Sequence, residues 1–427
     1  MRGITLLLIF VSSIALAQTT NNKLGELDAT STAGAAVAVS PRNNKNIVAW
    51  AAGKLVYSND AGVTWKDSQP TISDVGKGTP SVAVDSKGNF FVAYSNPSLT
   101  QVFCSSSSDD GKAWSVPVVI SGLPGKEKYN VHIAAQPRKE GLIVTWTESD
   151  KYGAEGDDCK SNIMMSASGS GKKWSAPLQV NQDSGNCLDG DFTSRGSAAC
   201  IAHDGKIFIL WARQGFMYYD RSYDGNMWIS SDLAIIAQPG GWNINVPGFG
   251  DIANTPVFAI DTSPSRIQGT LFMVYSDTKS GEEDADIWLT RSVSRGDNWT
   301  VPARINQDEP GREQFLPQVS IDPANGHVYI LYYDRRNYTD NQTDVYLSWS
   351  VDGGNQFKEK KINDQPFTPA LTNTGLMTGY LSISAQKGLV IPVWSAINNG
   401  KQEVWTAVLK EAELNKPEPT KPETTKP

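Results

Sequence analysis

One phrase recurs seven times along this chain, and it constrains the fold more than any other feature. A run of small and apolar residues meets a turn, and a second apolar run then ends in Trp or Tyr. The seven terminal aromatics are Trp50, Tyr94, Trp146, Trp211, Tyr275, Tyr332 and Trp394. They are separated by roughly 44 to 65 residues, close to the period of a propeller blade. The runs are short, Gly and Pro punctuate them, and no stretch carries helical periodicity. Seven such pairs predict an all-β propeller of seven four-stranded blades, with six the alternative if one repeat is not a full blade.

A second phrase follows six of the seven aromatics: Ser-x-Asp-x-Gly-x-x-(Trp/Phe). Intact copies are Ser58-Asp60-Gly62-Trp65, Ser107-Asp109-Gly111-Trp114 and Ser350-Asp352-Gly354-Phe357. Worn copies end at Trp174, Trp228 and Trp299, with Gly169 and Ser294 standing where the first and last of these should have Asp. The pattern predicts a hairpin between the third and fourth strands. Asp accepts backbone N–H groups, Gly takes positive φ, and the aromatic packs back over the loop.

These motifs resemble the Asp-box (bacterial neuraminidase repeat) proteins, the sialidase-like propellers, over about residues 34–410. The resemblance implies a carbohydrate-related function. Sialidase chemistry in that family needs an arginine triad, a Tyr nucleophile with a Glu partner, and an Asp acid/base. The family's early Arg-Ile-Pro motif is missing here, and the first second–third loop, Ala51-Ala52-Gly53-Lys54, has no Asp. Tyr380 with Glu313 can be cast as nucleophile and partner, and Asp334 and Asp277 as further catalytic candidates, but the pattern is incomplete.

Composition sets the remaining bounds. Of 427 residues, 39% are hydrophobic and 19% charged, with a formal net charge of −7. A packed core is feasible, and a nucleic-acid partner is not expected, because nothing supplies the basic stripe that phosphates require. Residues 1–17 read as a signal peptide, with Arg2, the apolar run Ile4 to Leu16 and small residues before Gln18. No later run has transmembrane length. A secreted or periplasmic monomer that does not span the membrane is therefore expected. The segment 18–33 can supply the outer strand that the last repeat lacks. The Pro/Lys/Thr/Glu-rich stretch 411–427 reads as a disordered tail. Export makes the four cysteines worth pairing; Cys159 with Cys187, both in polar loops, is the favoured bridge, and Cys104 and Cys200 read as buried thiols.

Loops alternate between the two ends of such a propeller. The first–second and third–fourth turns share one end, which holds the Ser-x-Asp-x-Gly turns. The second–third and inter-blade loops share the other, and these are the long polar ones, where function concentrates. Residues expected at that end include Glu148, Arg213, Asp277 and Asp334 at second-strand termini, with Arg195, Arg312, Arg335 and Arg336 in loops. Trp242, Phe249, Phe315 and Phe367 are expected to add aromatic surfaces there. Bidentate Arg contacts and ring stacking suit an acidic sugar. Ligand-binding candidates are thus Arg195, Arg213, Arg312, Arg335, Glu148 and Trp242. No metal site or cofactor is expected, although Glu282-Glu283-Asp284-Asp286 and Asp340-Asp344 could offer Ca²⁺ oxygen ligands. The reading favoured is a propeller that binds a glycan or protein ligand. The alternative is a carbohydrate-active enzyme, a sialidase-like glycosidase before a polysaccharide lyase.

Overall fold

The computed structural model describes residues 20–416, apart from 29–33, 70–71, 73–74, 76–79, 157, 226–227, 229–230, 239, 242, 249, 254, 282–283, 369–380 and 399–400. The signal-peptide stretch, Trp242, Phe249, Tyr380, Glu282, Glu283 and the tail beyond 416 lie outside the described residues.

Seven antiparallel sheets follow one another along the chain, and none is shared between repeats. The first blade is Ala35–Val39, Ile47–Ala51, Lys54–Ser58 and Lys66–Asp67. The second blade is Ser81–Val84, Phe90–Ser95, Val102–Ser107 and Val118–Ser121. The third blade is Glu127–Ala135, Leu142–Ser149, Ser161–Ser168 and Leu178–Gln179. The fourth blade is Arg195–Ile201, Ile207–Arg213, Phe216–Ser222 and Leu233–Ala237. A hairpin, Asn243–Val246 with Gly250–Ala253, precedes the fifth blade, Val257–Ile260, Leu271–Asp277, Asp286–Ser292 and Ala303–Arg304. The sixth blade is Gln314–Ile321, Val328–Asp334, Asp344–Ser350 and Lys358–Lys361. The seventh blade has Leu381–Gln386, Leu389–Asn398 and Lys401–Ala407, and Asn21–Asp28 pairs antiparallel to the last of these as its outer strand. Segments from the start and the end of the described chain thus share one sheet, which closes the ring.

Alternation explains why the strands read as almost wholly apolar. Side chains on successive positions face opposite neighbours, and in a propeller both neighbours are blades. Val37, Ile47, Ala49 and Val56 pack on Ile391 and Val393 of the seventh blade. Ala36, Ala38, Val48 and Trp50 pack on Phe90, Val92 and Tyr94 of the second. One detail departs from strict repetition. Trp146, Trp211, Tyr275, Tyr332 and Trp394 pack backward onto the preceding blade, whereas Trp50 packs forward. The aromatic phrase is one residue out of register in the first blade, and a one-residue slip exchanges the two faces.

The Ser-x-Asp-x-Gly turns carry a second function that turn chemistry alone does not reveal. In the first, Ser58 Oγ accepts Gly62 N (2.9 Å), Asp60 accepts Thr64 N (2.9 Å), and Trp65 Nε1 donates to Gly62 O (3.0 Å). Hydrogen bonds from Thr64 hold the Asp60 carboxyl down at about 2. The worn copy at Trp299 keeps the serine part of the circuit, with Ser292 Oγ accepting Gly296 N (2.8 Å) and Ser294 Oγ accepting Asn298 N (2.8 Å) in place of Asp, but Trp299 Nε1 has no partner there. Gly62, Gly111, Gly171, Gly296 and Gly354 have positive φ and also press against the blade before them, whereas Gly225 meets only Ile207 of its own blade. A Cβ at Gly111 would overlap Val48 Cγ2, one at Gly171 would sit 2.7 Å from Phe91 Cε1, and one at Gly354 3.0 Å from Phe272 Cε1. The turns therefore lock blade to blade, which is why Gly survives where Asp does not.

Inner strands are stitched to one another as well. Val37 N and Val39 N donate to Ser382 and Ser384 Oγ (both 3.1 Å), Ile133 N to Ser81 Oγ (3.1 Å), and Ala385 N to Ser320 Oγ (3.0 Å). Between the third and fourth blades His132 replaces Ser, and its Nδ1 accepts Ala199 N (3.3 Å).

The packed unit continues past the boundary expected at Lys410. Leu409–Lys410 pairs with Leu389 and Val390, and Glu411–Leu414 forms one helical turn with Leu414 buried. Glu411 accepts Asn325 Nδ2 (2.9 Å) and pairs with His327 Nδ1 (2.8 Å), while Asn415 accepts Trp349 Nε1 (3.0 Å). These contacts span the sixth and seventh blades, so the first residues of the supposed tail are part of the ring.

Candidate functional site

The ends of the second strands are charged, as expected, but their charges are already matched. Glu148 lies 3.7 Å from Lys128 Nζ, which is fully buried and donates to Leu123 O (3.1 Å) and Lys126 O (2.9 Å). Arg213 meets Asp183 (3.2 Å) and lies over the Tyr218 ring at 5.2 Å. Asp277 accepts Gly240 N and Thr278 N (both 2.8 Å) beside Lys279. Asp334 accepts Arg336 N (2.8 Å) and pairs with its guanidinium (2.7 Å). Burial pushes the Asp334 carboxyl up to about 6 against the pull of Arg336.

Arg195 opens the first strand of the fourth blade and is 1% exposed. Its guanidinium pairs with the Asp189 carboxylate and donates to Asp189 O (2.9 Å). Tyr152 donates to the same carboxylate and stacks edge-on against Tyr129 at 4.9 Å between centroids. Burial holds the guanidinium down to about 9, opposed by the two tyrosines. The loops around this cluster are stapled. Cys159 and Cys187 form a disulfide with Cα atoms 5.7 Å apart, and Gly153 N donates to Cys187 O (2.7 Å). Cys104 and Cys200 are free and buried. The expected Cys159–Cys187 bridge is present, while Arg195, expected to meet a ligand, is committed to a buried pair with Asp189; Tyr129, Tyr152, Asp189 and Lys128 carry no repeat signal in the sequence.

A separate cluster belongs to the sixth blade. Arg335 is fully buried, lies over the Phe315 ring at 5.3 Å, donates to Pro247 O (2.7 Å) and approaches Glu313 at 3.6 Å. Arg312 donates to Asp340 O (2.6 Å) and comes within 3.9 Å of Glu313. Arg336 turns outward to Glu359 and lies over Tyr346 at 4.3 Å. Phe315 and Phe367 are core side chains, 0% and 4% exposed, and offer no stacking surface. The four candidate arginines divide between these two clusters and Asp183: Arg312 and Arg335 share Glu313, Arg195 pairs with Asp189 and Arg213 with Asp183. For the acidic loops, Arg304 pairs with Asp286 (2.6 Å) and Lys361 with Asp344 (2.8 Å). Among the described residues no group of three or more His, Cys, Asp or Glu side chains is placed to hold a metal ion.

Among polar neighbours this end presents three large apolar side chains to solvent. Leu188 and Phe192, in the disulfide-bound loop, are 50% and 61% exposed, and Phe216, in the neighbouring second–third turn, is 42% exposed. A backbone bond from Gln214 N to Asp191 O joins the two segments. The signal was available in the sequence, since Leu188 and Phe192 interrupt a polar loop.

Comparison with known proteins agrees with the architecture. The Trypanosoma rangeli sialidase in complex with 2,3-difluorosialic acid superposes with a TM-score of 0.50 at 11% identity, covering 93% of this chain and 60% of that one. The Hadza microbial sialidase Hz136 gives 0.49 at 12%, covering 85% and 73%. The Penicillium chrysogenum α-L-arabinanase complexed with arabinobiose gives 0.49 at 14%, covering 78% and 93%. The fold is that of a sialidase-like propeller. No protein-family model matches the sequence, and no curated protein does. The chain spans 60% of the trypanosomal protein's length, and at such identities the likeness is one of fold, which leaves chemistry to the site itself. Among the described residues no helix is long and apolar enough to cross a membrane.

Proposed function

We propose that this is an exported glycan-binding propeller whose contact surface is the loop-rich end of the third and fourth blades. The observation that carries the reading is the exposed pair Phe192 and Phe216, with Leu188 beside them, on loops held by a disulfide and a buried ion pair. Sugar rings stack on such aromatic faces, and Asp183, 75% exposed and paired with Arg213, supplies a polar partner. The matched arginines do not favour the sialidase reading. A carboxylate-bearing substrate would have to displace Asp189 from Arg195 or Glu313 from Arg335, and separating a buried pair costs several kcal/mol. Screening the protein on a glycan array, followed by calorimetry with Phe192→Ala and Phe216→Ala, tests the proposal. Binding that falls at least roughly tenfold in both variants is expected, corresponding to about 1.4 kcal/mol or more. Full affinity in both variants, or release of sugar from a sialoside panel, sinks it.

A further inference from the structure

Charge is unevenly placed along the propeller axis. The chain carries a formal net charge of −7, yet the first–second turns, at the end away from the long loops, are basic. Arg42 and Lys45 of the first blade, Arg138 and Lys139 of the third, Arg266 of the fifth and Lys387 of the seventh are all exposed. The other cations of these turns are already matched, Lys87 with Glu140 and Lys206 with Asp204. None of the six has a carboxylate within ion-pair distance among the described residues. Three further carboxylates are buried beneath them and hold the turns in shape. Asp85 accepts Lys87 N and Asn89 N (both 2.9 Å), Asp261 accepts Ser263 N (2.8 Å), and Asp322 accepts Ala324 N and, across the blade boundary, Lys387 N (both 2.9 Å). Six exposed cations thus stand outside three buried anions.

Their arrangement is circular. Turn residues of six blades line one opening on the axis, and the fourth blade reaches it with Ile201. Neighbouring turns are bonded to one another: Lys387 Nζ donates to Pro41 O (2.7 Å), Arg42 Nη1 donates to Lys87 O (3.4 Å), and Lys87 pairs with Glu140. The cations are therefore set around a collar rather than along a groove. A linear polyanion follows only an arc of a collar and leaves the far cations in water, whereas a plane of anionic groups meets all of them together. The box turns outside the collar carry both signs, Asp60, Asp109 and Asp352 against Lys112, Lys172 and Lys173, so the excess of positive charge is centred on the axis.

We propose that the first–second-turn end of the propeller docks on an anionic phospholipid bilayer surface. Each Lys or Arg brought to such a surface strengthens partitioning about fivefold. The attraction fades beyond a Debye length, about 10 Å at 0.1 M salt, so only the collar facing the lipid contributes. No segment needs to enter the hydrocarbon. Phe192 and Phe216 then face away from the lipid, and the docking surface is separate from the proposed glycan platform and does not depend on it.

Co-sedimentation of the full chain with vesicles of phosphatidylglycerol and phosphatidylcholine in equal parts tests the proposal. Saturable binding is expected at about 50 mM salt and release at about 0.5 M, with little binding to vesicles of phosphatidylcholine alone. Replacing Arg138 and Lys139 together by Gln should lower partitioning by roughly 10- to 30-fold. Replacing Lys172 and Lys173 by Gln, which removes the same charge from the box turn of the same blade, should lower it by less than about threefold. No binding to the mixed vesicles, equal binding to phosphatidylcholine alone, or equal losses in the two double variants each overturns the proposal. So does a chain that takes up dextran sulfate but ignores the vesicles.

Discussion

His132 allows a quantitative test of how the blades are joined. Its Nδ1 accepts Ala199 N only while the ring is neutral at that atom, and desolvation alone pushes its pKa from 6.5 down to about 4. Above pH 6.5 the imidazole is neutral in both folded and unfolded chains. Between pH 6.5 and 4 the unfolded chain takes up a proton that the folded chain resists. Stability is therefore lost as pH falls through this window, and the loss levels off below the folded value. A depression of this size corresponds to about 3 kcal/mol at most, taking 1.36 kcal/mol per pH unit. Other groups also titrate there, Asp334 at about 6 among them, so the useful quantity is a difference. His132→Ser supplies the hydroxyl acceptor used at the other junctions and cannot protonate. Urea unfolding followed by Trp fluorescence, with 13 Trp as reporters, should be run on both proteins from pH 7.5 to 4. The wild type should lose about 2–3 kcal/mol more than H132S over that range. Parallel curves, separated by a constant amount within about 0.5 kcal/mol, would refute the argument that a neutral imidazole holds this junction.

Three further outcomes follow from the ring's construction. Gly111→Ala both strains a φ of +87° and drives a methyl into Val48, so it should cost about 2–4 kcal/mol, read as a lowered thermal midpoint. Replacing Cys159 and Cys187 by Ser opens a cross-link between residues 28 apart; the expected loss is roughly 3–4 kcal/mol of loop constraint, and hydrogen exchange should rise in 150–196 before the blades. Removing residues 1–28 strips the seventh blade of its outer strand and exposes the edge of Lys401–Ala407; size-exclusion chromatography should show association or aggregation rather than a stable monomer.

The sequence displayed the fold because its determinants are local. Alternating apolar runs, hairpin turns and a Ser-x-Asp-x-Gly circuit all fall within a few residues, and their repetition averages away individual lapses such as Ser294 for Asp. Even so, locality misled in the first blade, where Trp50 looks like the other terminal aromatics but faces the opposite neighbour. The charged candidates were harder to read because their partners are distant in sequence. Nothing near Arg335 in the chain announces Pro247 O, and nothing near Glu148 announces that Lys128 is buried beneath it. A free arginine and a structurally committed one are identical as letters. The box glycines illustrate the same divide: the positive φ was legible, whereas the pressure of each turn on the preceding blade depends on packing between repeats.

That divide also decides which substitutions can report on the loop-rich end. Arg195 and Phe192 are three residues apart and both lie on the proposed platform, yet they answer different questions. Removing the buried guanidinium leaves Asp189 unpaired, a change worth about 3–5 kcal/mol, and frees the Tyr152 contact that braces the neighbouring loop. Lost binding in Arg195→Ala would therefore follow whether or not a ligand ever touches the arginine. Phe192 is 61% exposed, so trimming it should leave the melting midpoint almost unchanged. If it nevertheless removes binding, the ring itself meets the ligand. The stapled loop also bears on the affinity expected of so small a patch: a platform already ordered before contact loses little conformational entropy on binding, and two aromatic faces can then suffice for specific recognition.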